Sequence, residues 1–292
     1  MKDFKDRVAV ITGGASGVGR SLAFALGREG AKVVLGDVDE RALEETVAGL
    51  RAEGIDAIGE RADVTSAASM QALADRAFGE FGGVQLVFAN AGIGAGEGGN
   101  MWEYDLNDWE WGFRVNTWGV INTINAFMPR LVAQNQEAHF VITGSGNGAF
   151  LMLPDQPIYT ATKAAVQAIT EGLYFQLQRL QSPVQVNALF PGPNVVETGI
   201  FNSDRVRPGN LPKDPGKPDS GISSVEDMRR LMEQHGMKLE TTHPDVVADY
   251  ALEGIRANQF WIARSKESTL AQMRARFDGI LDKVNPTAPH VS

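Results

Sequence analysis

The 292-residue sequence contains no cysteine. That excludes a disulfide framework, a thiolate metal site and a cysteine nucleophile. Its four histidines, His139, His235, His243 and His290, lack the spacing of metal ligands, and no His/carboxylate cluster accompanies them, so no metal is expected. Cations are in the minority, 27 Lys and Arg against 36 Asp and Glu, for a formal charge of −9. A chain so charged is a poor partner for nucleic-acid phosphates or an anionic membrane surface. No window approaches the ~18 unbroken apolar residues of a membrane span. Met1 to Arg7 lack the basic start and apolar stretch of a secretory leader, so a cytoplasmic location is expected. With 43% hydrophobic and 22% charged residues, the chain has the means to form a sizeable core and is not a disordered one.

Short apolar runs alternate with longer helical patterns. Val8–Thr12, Lys32–Gly36, Val84–Ala89, His139–Thr143, Val184–Leu189 and Gln259–Ala263 read as buried strands, with Ala57–Arg61 a weaker one. Between them lie the amphipathic stretches Val18–Glu29, Arg41–Glu53, Ala67–Phe81, Asp108–Gln134 and Ile158–Gln181. Nearly continuous apolar strands separated by helices predict an α/β fold: a doubly wound parallel sheet of about seven strands, helices on both faces, in one domain over 1–292. Such a sheet binds its ligand at the carboxyl ends of the strands.

The alternation fails after Leu189. From Pro191 to Thr242 no strand is predicted, and four prolines fall between Pro208 and Pro218. A long Pro/Gly-rich excursion in a compact domain usually serves function. Residues 193–242 are therefore read as an inserted substrate lid, with one amphipathic helix over Ser224–His235. Residues 264–284 are read as a C-terminal helix.

Strand Val8–Thr12 runs into Gly13-Gly14-Ala15-Ser16-Gly17-Val18-Gly19 and then a helix. Glycines let the chain turn tightly and bring backbone N–H groups up to a pyrophosphate, and the helix N-terminus adds partial positive charge. The strand–loop–helix context makes the loop specific, since a Gly-rich loop alone is not. Asp37 ends the second strand. A carboxylate there accepts bonds from the two adenosine ribose hydroxyls and repels a 2′-phosphate. Gly14, Ala15 and Ser16 carry no cation to offset it and Val38 is neutral, so NAD(H) is favoured over NADP(H).

These and later motifs together resemble the short-chain dehydrogenase/reductase family and its Rossmann fold. Thr12-Gly13-x-x-x-Gly17-x-Gly19 is similar to the family's cofactor fingerprint. Asp63-Val64 matches its pair beside the adenine, and Asn90-Ala91-Gly92 its motif after the fourth strand. Asn116 matches the Asn of the long helix, Ser145 the catalytic Ser, Tyr159-x-x-x-Lys163 the Tyr/Lys pair, and Pro191-Gly192 the motif after the sixth strand. The likeness is strong over residues 5 to 195. Three features depart from it. Gly144 stands where a second Ser is common, the excursion after 199 lengthens the chain, and the Thr expected after Pro191-Gly192 is displaced to Thr198.

The resemblance implies hydride exchange between a secondary alcohol or ketone and NAD, bound through Gly13, Ser16, Gly17, Val18, Gly19, Asp37, Val38, Asp63, Val64, Asn90, Ala91, Gly92, Tyr159, Lys163, Pro191, Gly192 and Thr198. A phenol titrates near ~10, too high for an efficient base at neutral pH unless a cation stabilises the phenolate. Lys163 lies four residues past Tyr159, on the same helical face. Tyr159 is thus expected to be the general acid/base, Lys163 to lower its pKa and bond the nicotinamide ribose, Ser145 to hold the substrate oxygen, and Asn116 to anchor a water that links Lys163 to solvent. Phe150, Leu151, Met152, Leu153, Pro193, Val195 and Phe201 suggest a bulky apolar or aromatic substrate. A narrower similarity, to bacterial dehydrogenases of lignin-type aryl ethers, rests on Met1-Lys2-Asp3-Phe4, the Gly13–Gly17 loop and Gln234-His235-Gly236. The alternatives are a ketone or 3-oxoacyl reductase of the same family and a non-catalytic NAD(H) sensor. The family commonly forms homodimers and homotetramers through its two longest helices, here about 105–134 and 158–181.

Overall fold

The computed structural model describes residues 1–95 and 97–289; Gly96 and residues 290–292, His290 among them, lie outside the described residues. Seven parallel strands form one sheet in the order β3-β2-β1-β4-β5-β6-β9. They are β1 (Val8–Thr12), β2 (Lys32–Asp37), β3 (Ala57–Arg61), β4 (Leu86–Ala89), β5 (Ala138–Thr143), β6 (Val184–Phe190) and β9 (Trp261–Ala263). β1 shows why these segments are strands buried on both faces. Ala9 and Ile11 point into a core shared with helices α1 (Gly17–Arg28), α2 (Glu40–Ala52) and α9 (Pro244–Arg256). Val8 and Val10 point into the opposite core, under α3 (Ala67–Phe81), α5 (Gly119–Gln134) and α7 (Pro157–Arg179). The period of two along a strand divides the side chains between the two layers. The order reverses between β1 and β4, which opens a crevice at the carboxyl ends of those strands.

The stretch expected as one helix over 108–134 is three pieces. α4 (Leu106–Gly112) passes into a π-helical segment, Phe113–Trp118, before α5 begins. Glycines stand at both joins, where a Cβ would lie 2.6 Å from Ile158 Cγ2 (at Gly112) or 2.8 Å from Val64 Cγ2 (at Gly119). The wider turn carries Asn116 and Thr117 into the interior.

Residues 193–242 also differ from expectation. Two short strands, β7 (Val195–Val196) and β8 (Thr241–Thr242), pair in parallel and close the base of the excursion. Between them lie the 3₁₀ segment Gly199–Val206 and α8 (Val225–Gln234). α9 was not anticipated, although Pro244 at its start and the buried Val247, Ala248, Ala251, Leu252 and Ile255 are ordinary helix signals. The C-terminal helix is α10 (Glu267–Leu281), shorter than 264–284. No helix among the described residues is long and apolar enough to cross a membrane.

Candidate active site

The crevice between β1 and β4 is floored by glycines. Gly13 has φ +63°, and a Cβ there would fall 2.8 Å from Ala91 Cα; at Gly19 it would fall 2.2 Å from the Gly13 carbonyl oxygen. Only glycine keeps this loop folded so closely onto the Asn90-Ala91-Gly92 turn. α1 then starts at Gly17 behind Ser16, which makes no side-chain cap bond, and its first turn holds no acidic residue. Its leading N–H groups and positive dipole end are left for an anion. Val18 is buried at the same turn.

Asp37 lies across the loop at the end of β2. Its carboxylate accepts N–H bonds from Ala15 and Asp39, both at 3.0 Å. Burial pushes it above the usual carboxylate range, against those bonds. Val38 is partly exposed beside it. The 193–242 excursion brings a cation to this rim: Arg205 Nε lies 3.8 Å from Asp39 Oδ2. Sequence spacing gave no sign of that approach. Asp63 accepts from both the N–H and hydroxyl of Thr65, while buried Val64 packs against α5 and its carbonyl accepts from Asn122.

Asn90 is engaged with protein on both ends of its amide. Nδ2 donates to the Thr12 and Gly13 carbonyls at 3.1 and 3.4 Å, and Oδ1 accepts from the Thr143 hydroxyl at 3.1 Å. It braces the ends of β1, β4 and β5 together. Pro191 and Gly192 follow β6, where the Gly192 N–H donates to the Tyr250 hydroxyl and that hydroxyl donates to the Phe190 carbonyl. Thr198, displaced in sequence, lies against the glycine loop: a Cβ on Gly17 would fall 2.9 Å from its Cγ2.

Two of the four remaining candidates, Asn116 and Lys163, meet beside Gly92. A Cβ at Gly92 would lie 3.3 Å from Asn116 Oδ1 and 3.5 Å from Lys163 Nζ. Asn116 accepts the Ile93 N–H at 2.8 Å and donates to the Ile93 carbonyl and the Thr162 hydroxyl. Lys163, 3% exposed, donates to the Thr143 carbonyl at 2.9 Å, with Nζ 5.8 Å from the centre of the Tyr159 ring. Ser145 follows β5, where its hydroxyl accepts the Asn147 N–H at 3.2 Å, and it acts on the Tyr159 phenol to lower its pKa. Tyr159 and Lys163 project together because they sit one turn apart on α7.

The electrostatics correct one expectation. Burial is the largest influence on Tyr159 and holds its phenol above the ordinary value; the Ser145 hydroxyl opposes this and Glu97 reinforces it. Burial also lowers Lys163 to about 8. Desolvation thus works against the acidification expected from Lys163, which a cation at that position still favours.

Other groups were not legible as site residues. Glu97, in the loop after β4, accepts the Tyr159 N–H. Arg207 of the 193–242 excursion pairs with Asp108 of α4 and lies 4.5 Å from the centre of the Trp111 ring. Of the five tryptophans, Trp111 is buried, Trp102, Trp118 and Trp261 are exposed, and Trp109 stacks on Phe113. Phe150, expected at the substrate, is drawn onto Phe190 and Trp261. Phe201 helps line a cavity of about 180 Å³ between the lid and Gly94. A larger one, about 580 Å³, lies at the opposite end of the sheet, between the end of α7 and the start of β6, away from this chemistry.

Comparison with known proteins shows what the whole chain is similar to. The sequence profile described as short chain dehydrogenase matches residues 7–207. The crystal structure of a short chain dehydrogenase/reductase from Burkholderia phymatum in complex with NAD is similar with a TM-score of 0.88 and 40% identity, covering 100% of both chains. The C alpha-dehydrogenase of Sphingobium sp. (strain NBRC 103272 / SYK-6) is 31% identical over 287 residues, 98% of this chain and 89% of that protein. The apo form of LigD from Sphingobium sp. strain SYK-6 has a TM-score of 0.73 at 27% identity, over 98% of this chain and 100% of that one.

Proposed function

Because this chain belongs to the short-chain dehydrogenase/reductase family of oxidoreductases, we propose that it uses NAD to interconvert a secondary alcohol and a ketone on a bulky apolar or aromatic substrate. The observation that carries this reading is that Asn116 and Lys163 meet beside Gly92 at the end of a glycine-floored crevice, with Lys163 Nζ 5.8 Å from the centre of the Tyr159 ring and Ser145 following β5. Gly13, Ser16, Gly17, Val18 and Gly19 would seat the pyrophosphate. Asp37 and Val38 would meet the adenosine ribose, and Asp63 and Val64 the adenine. Ala91, Gly92, Pro191, Gly192 and Thr198 would flank the nicotinamide, with Asn90 bracing them. The NAD complex of the Burkholderia relative and the carboxylate at Asp37 both support NAD over NADP.

When bound, NAD supplies the hydride chemistry. This chain's own residues supply position and the proton. The Ser145 hydroxyl holds the substrate oxygen against the Tyr159 phenol. Tyr159 takes the hydroxyl proton in oxidation and returns it in reduction. The protonated fraction of Lys163 favours the phenolate, and its bond to the Thr143 carbonyl fixes its direction. Asn116 holds the Ile93 turn to α7 through Thr162 and would anchor the water joining Lys163 to solvent. Residues 193–242 would cover the substrate and exclude bulk water. Exposed apolar residues on the two long helical segments, Trp118, Phe175 and Leu180, support a homodimer or homotetramer.

Similarity to the Sphingobium C alpha-dehydrogenase directs the choice of probes to benzylic alcohols. Absorbance at the NADH band is followed with NAD and a panel of secondary aryl alcohols, and with NADH and the matching ketones. Turnover is expected with at least one pair. Faster reaction from the ketones alone reassigns the chain as a reductase. A flat response to every substrate, with NADH binding intact, overturns the catalytic reading in favour of a sensor.

A further inference from the structure

The loop between β4 and α4 holds a carboxylate that the proposed chemistry leaves unused. Glu97 Oε1 accepts the Tyr159 N–H at 2.7 Å, across 62 residues of chain. The bond answers a deficit in α7. Its N-cap, Gln156, makes no side-chain cap bond and its first residue is Pro157. The next N–H groups, of Ile158 and Tyr159, need acceptors from elsewhere, and Glu97 supplies the one at Tyr159. A carboxylate at this point meets the positive end of the helix dipole.

The same segment is locked to the lid. The backbone of Glu97 bridges antiparallel to Asp219. A Cβ on Gly98 would fall 2.5 Å from the Asp219 carbonyl carbon, and one on Gly99, at φ +74°, would fall 2.8 Å from Pro218 Cβ. Asp219 pairs with Lys213, which also pairs with Asp204. Lid, Glu97 and the backbone of Tyr159 thus form a continuous connection.

We infer that Glu97 is a positioning residue: it seats Tyr159 for proton transfer and makes that seat depend on the docked lid. The inference rests on Tyr159 being the proton-transfer group. Glu97 also acts by charge, since a carboxylate near the phenol favours its neutral form. The charged and titratable groups around the pair are Lys163 beside the phenol, Asp108 of α4, and Tyr104 with its neighbours Glu103 and Asp155.

The test compares Glu97→Ala, Glu97→Gln, Gly98→Val and the Glu97→Ala/Gly98→Val double variant, with Tyr159→Phe as control. Three readouts are taken: the pH profile of kcat/KM on the fastest alcohol of the panel, NADH binding by fluorescence, and hydrogen exchange over 157–163. Glu97→Ala is expected to lower kcat by about 10- to 100-fold, to speed exchange over 157–163 and to leave NADH binding unchanged. Glu97→Gln keeps an acceptor and should recover kcat, while the midpoint of the rising limb moves to lower pH because the removed charge had opposed the phenolate. Gly98→Val, a wedge at the lid, should reproduce the Glu97→Ala loss, and the double variant should be no worse than either. Unchanged kcat, midpoint and exchange in Glu97→Ala overturn the inference, as do additive losses in the double variant. A fully active Tyr159→Phe instead overturns the assignment of Tyr159, and the exchange data then still decide whether Glu97 seats that residue.

Discussion

Replacing Arg207 by Ala should release the lid. The Arg207 side chain is 7% exposed and that of Asp108, its partner on α4, is 11% exposed. Arg207 also pairs with Asp204 at 3.1 Å, donates to the Leu211 carbonyl at 3.1 Å and stacks over Trp111. Burial, reinforced by Asp105 and Asp204, pushes the Asp108 carboxyl up, and Arg207 is the largest influence that pulls it back, ahead of Lys213. Truncating Arg207 therefore leaves a buried carboxylate without its counter-charge, at a cost of about 3–5 kcal/mol, and loses a cation–π contact of about 1 kcal/mol. Even the lower figure shifts the ratio of docked to open lid by about 100-fold. Hydrogen exchange should accelerate over 199–211 while β1 and β4 keep their protection, and KM for the alcohol should rise more than kcat falls. The Arg207→Met/Asp108→Leu double variant removes both charges and should restore much of the protection. If Arg207→Ala left exchange over 199–211 and KM unchanged, or if the double variant were no better than the single one, the ion pair would not be what holds the lid.

Two further substitutions test the crevice. Lys163 falls from an ordinary 10.5 to about 8 on burial. The folded state thus gives up a proton that the unfolded chain keeps between those values, and stability rises with pH through that window. Below pH 8 the buried charge costs on the order of 3 kcal/mol. Lys163→Met should accordingly raise the urea midpoint at pH 7, lose that advantage by about pH 10 and abolish turnover; equal gains at both pH values would contradict the assigned cause. Asp37→Ser removes the carboxylate that opposes a 2′-phosphate. The preference for NADH over NADPH, measured by fluorescence titration, should narrow by at least about tenfold, and an unchanged preference would place the discrimination elsewhere.

The parallel sheet and the crevice were legible because their signals are local. Apolar runs marked all seven strands, although β9 is shorter than expected. Gly13, Gly17 and Gly19 marked the turn, and the four-residue spacing of Tyr159 and Lys163 placed them on one helical face. The π segment at Phe113–Trp118 was not legible, because a 3.6-residue pattern does not register one wide turn. β7 and β8 have two residues each, too few for alternation to show. The signals of α9 were present in His243-Pro244-Asp245 and the apolar spacing after it, and went unread behind the irregular lid. Glu97, Asp108, Arg205 and Arg207 acquire their places from contacts across tens of residues, which no spacing rule encodes. The pKa balance at Tyr159 depends on how deeply the phenol and Lys163 are desolvated, a property of packing and not of sequence.

The proton-transfer assignment is tested most directly by single-turnover reduction of bound NAD by the alcohol in wild type and Tyr159→Phe, with NADH affinity measured on the same preparations. A loss of about 100- to 10,000-fold in the hydride-transfer rate is expected, with NADH affinity preserved because the ring stays and only its hydroxyl is removed. A Tyr159→Phe variant that reduces NAD at the wild-type rate would show that the proton travels by another route.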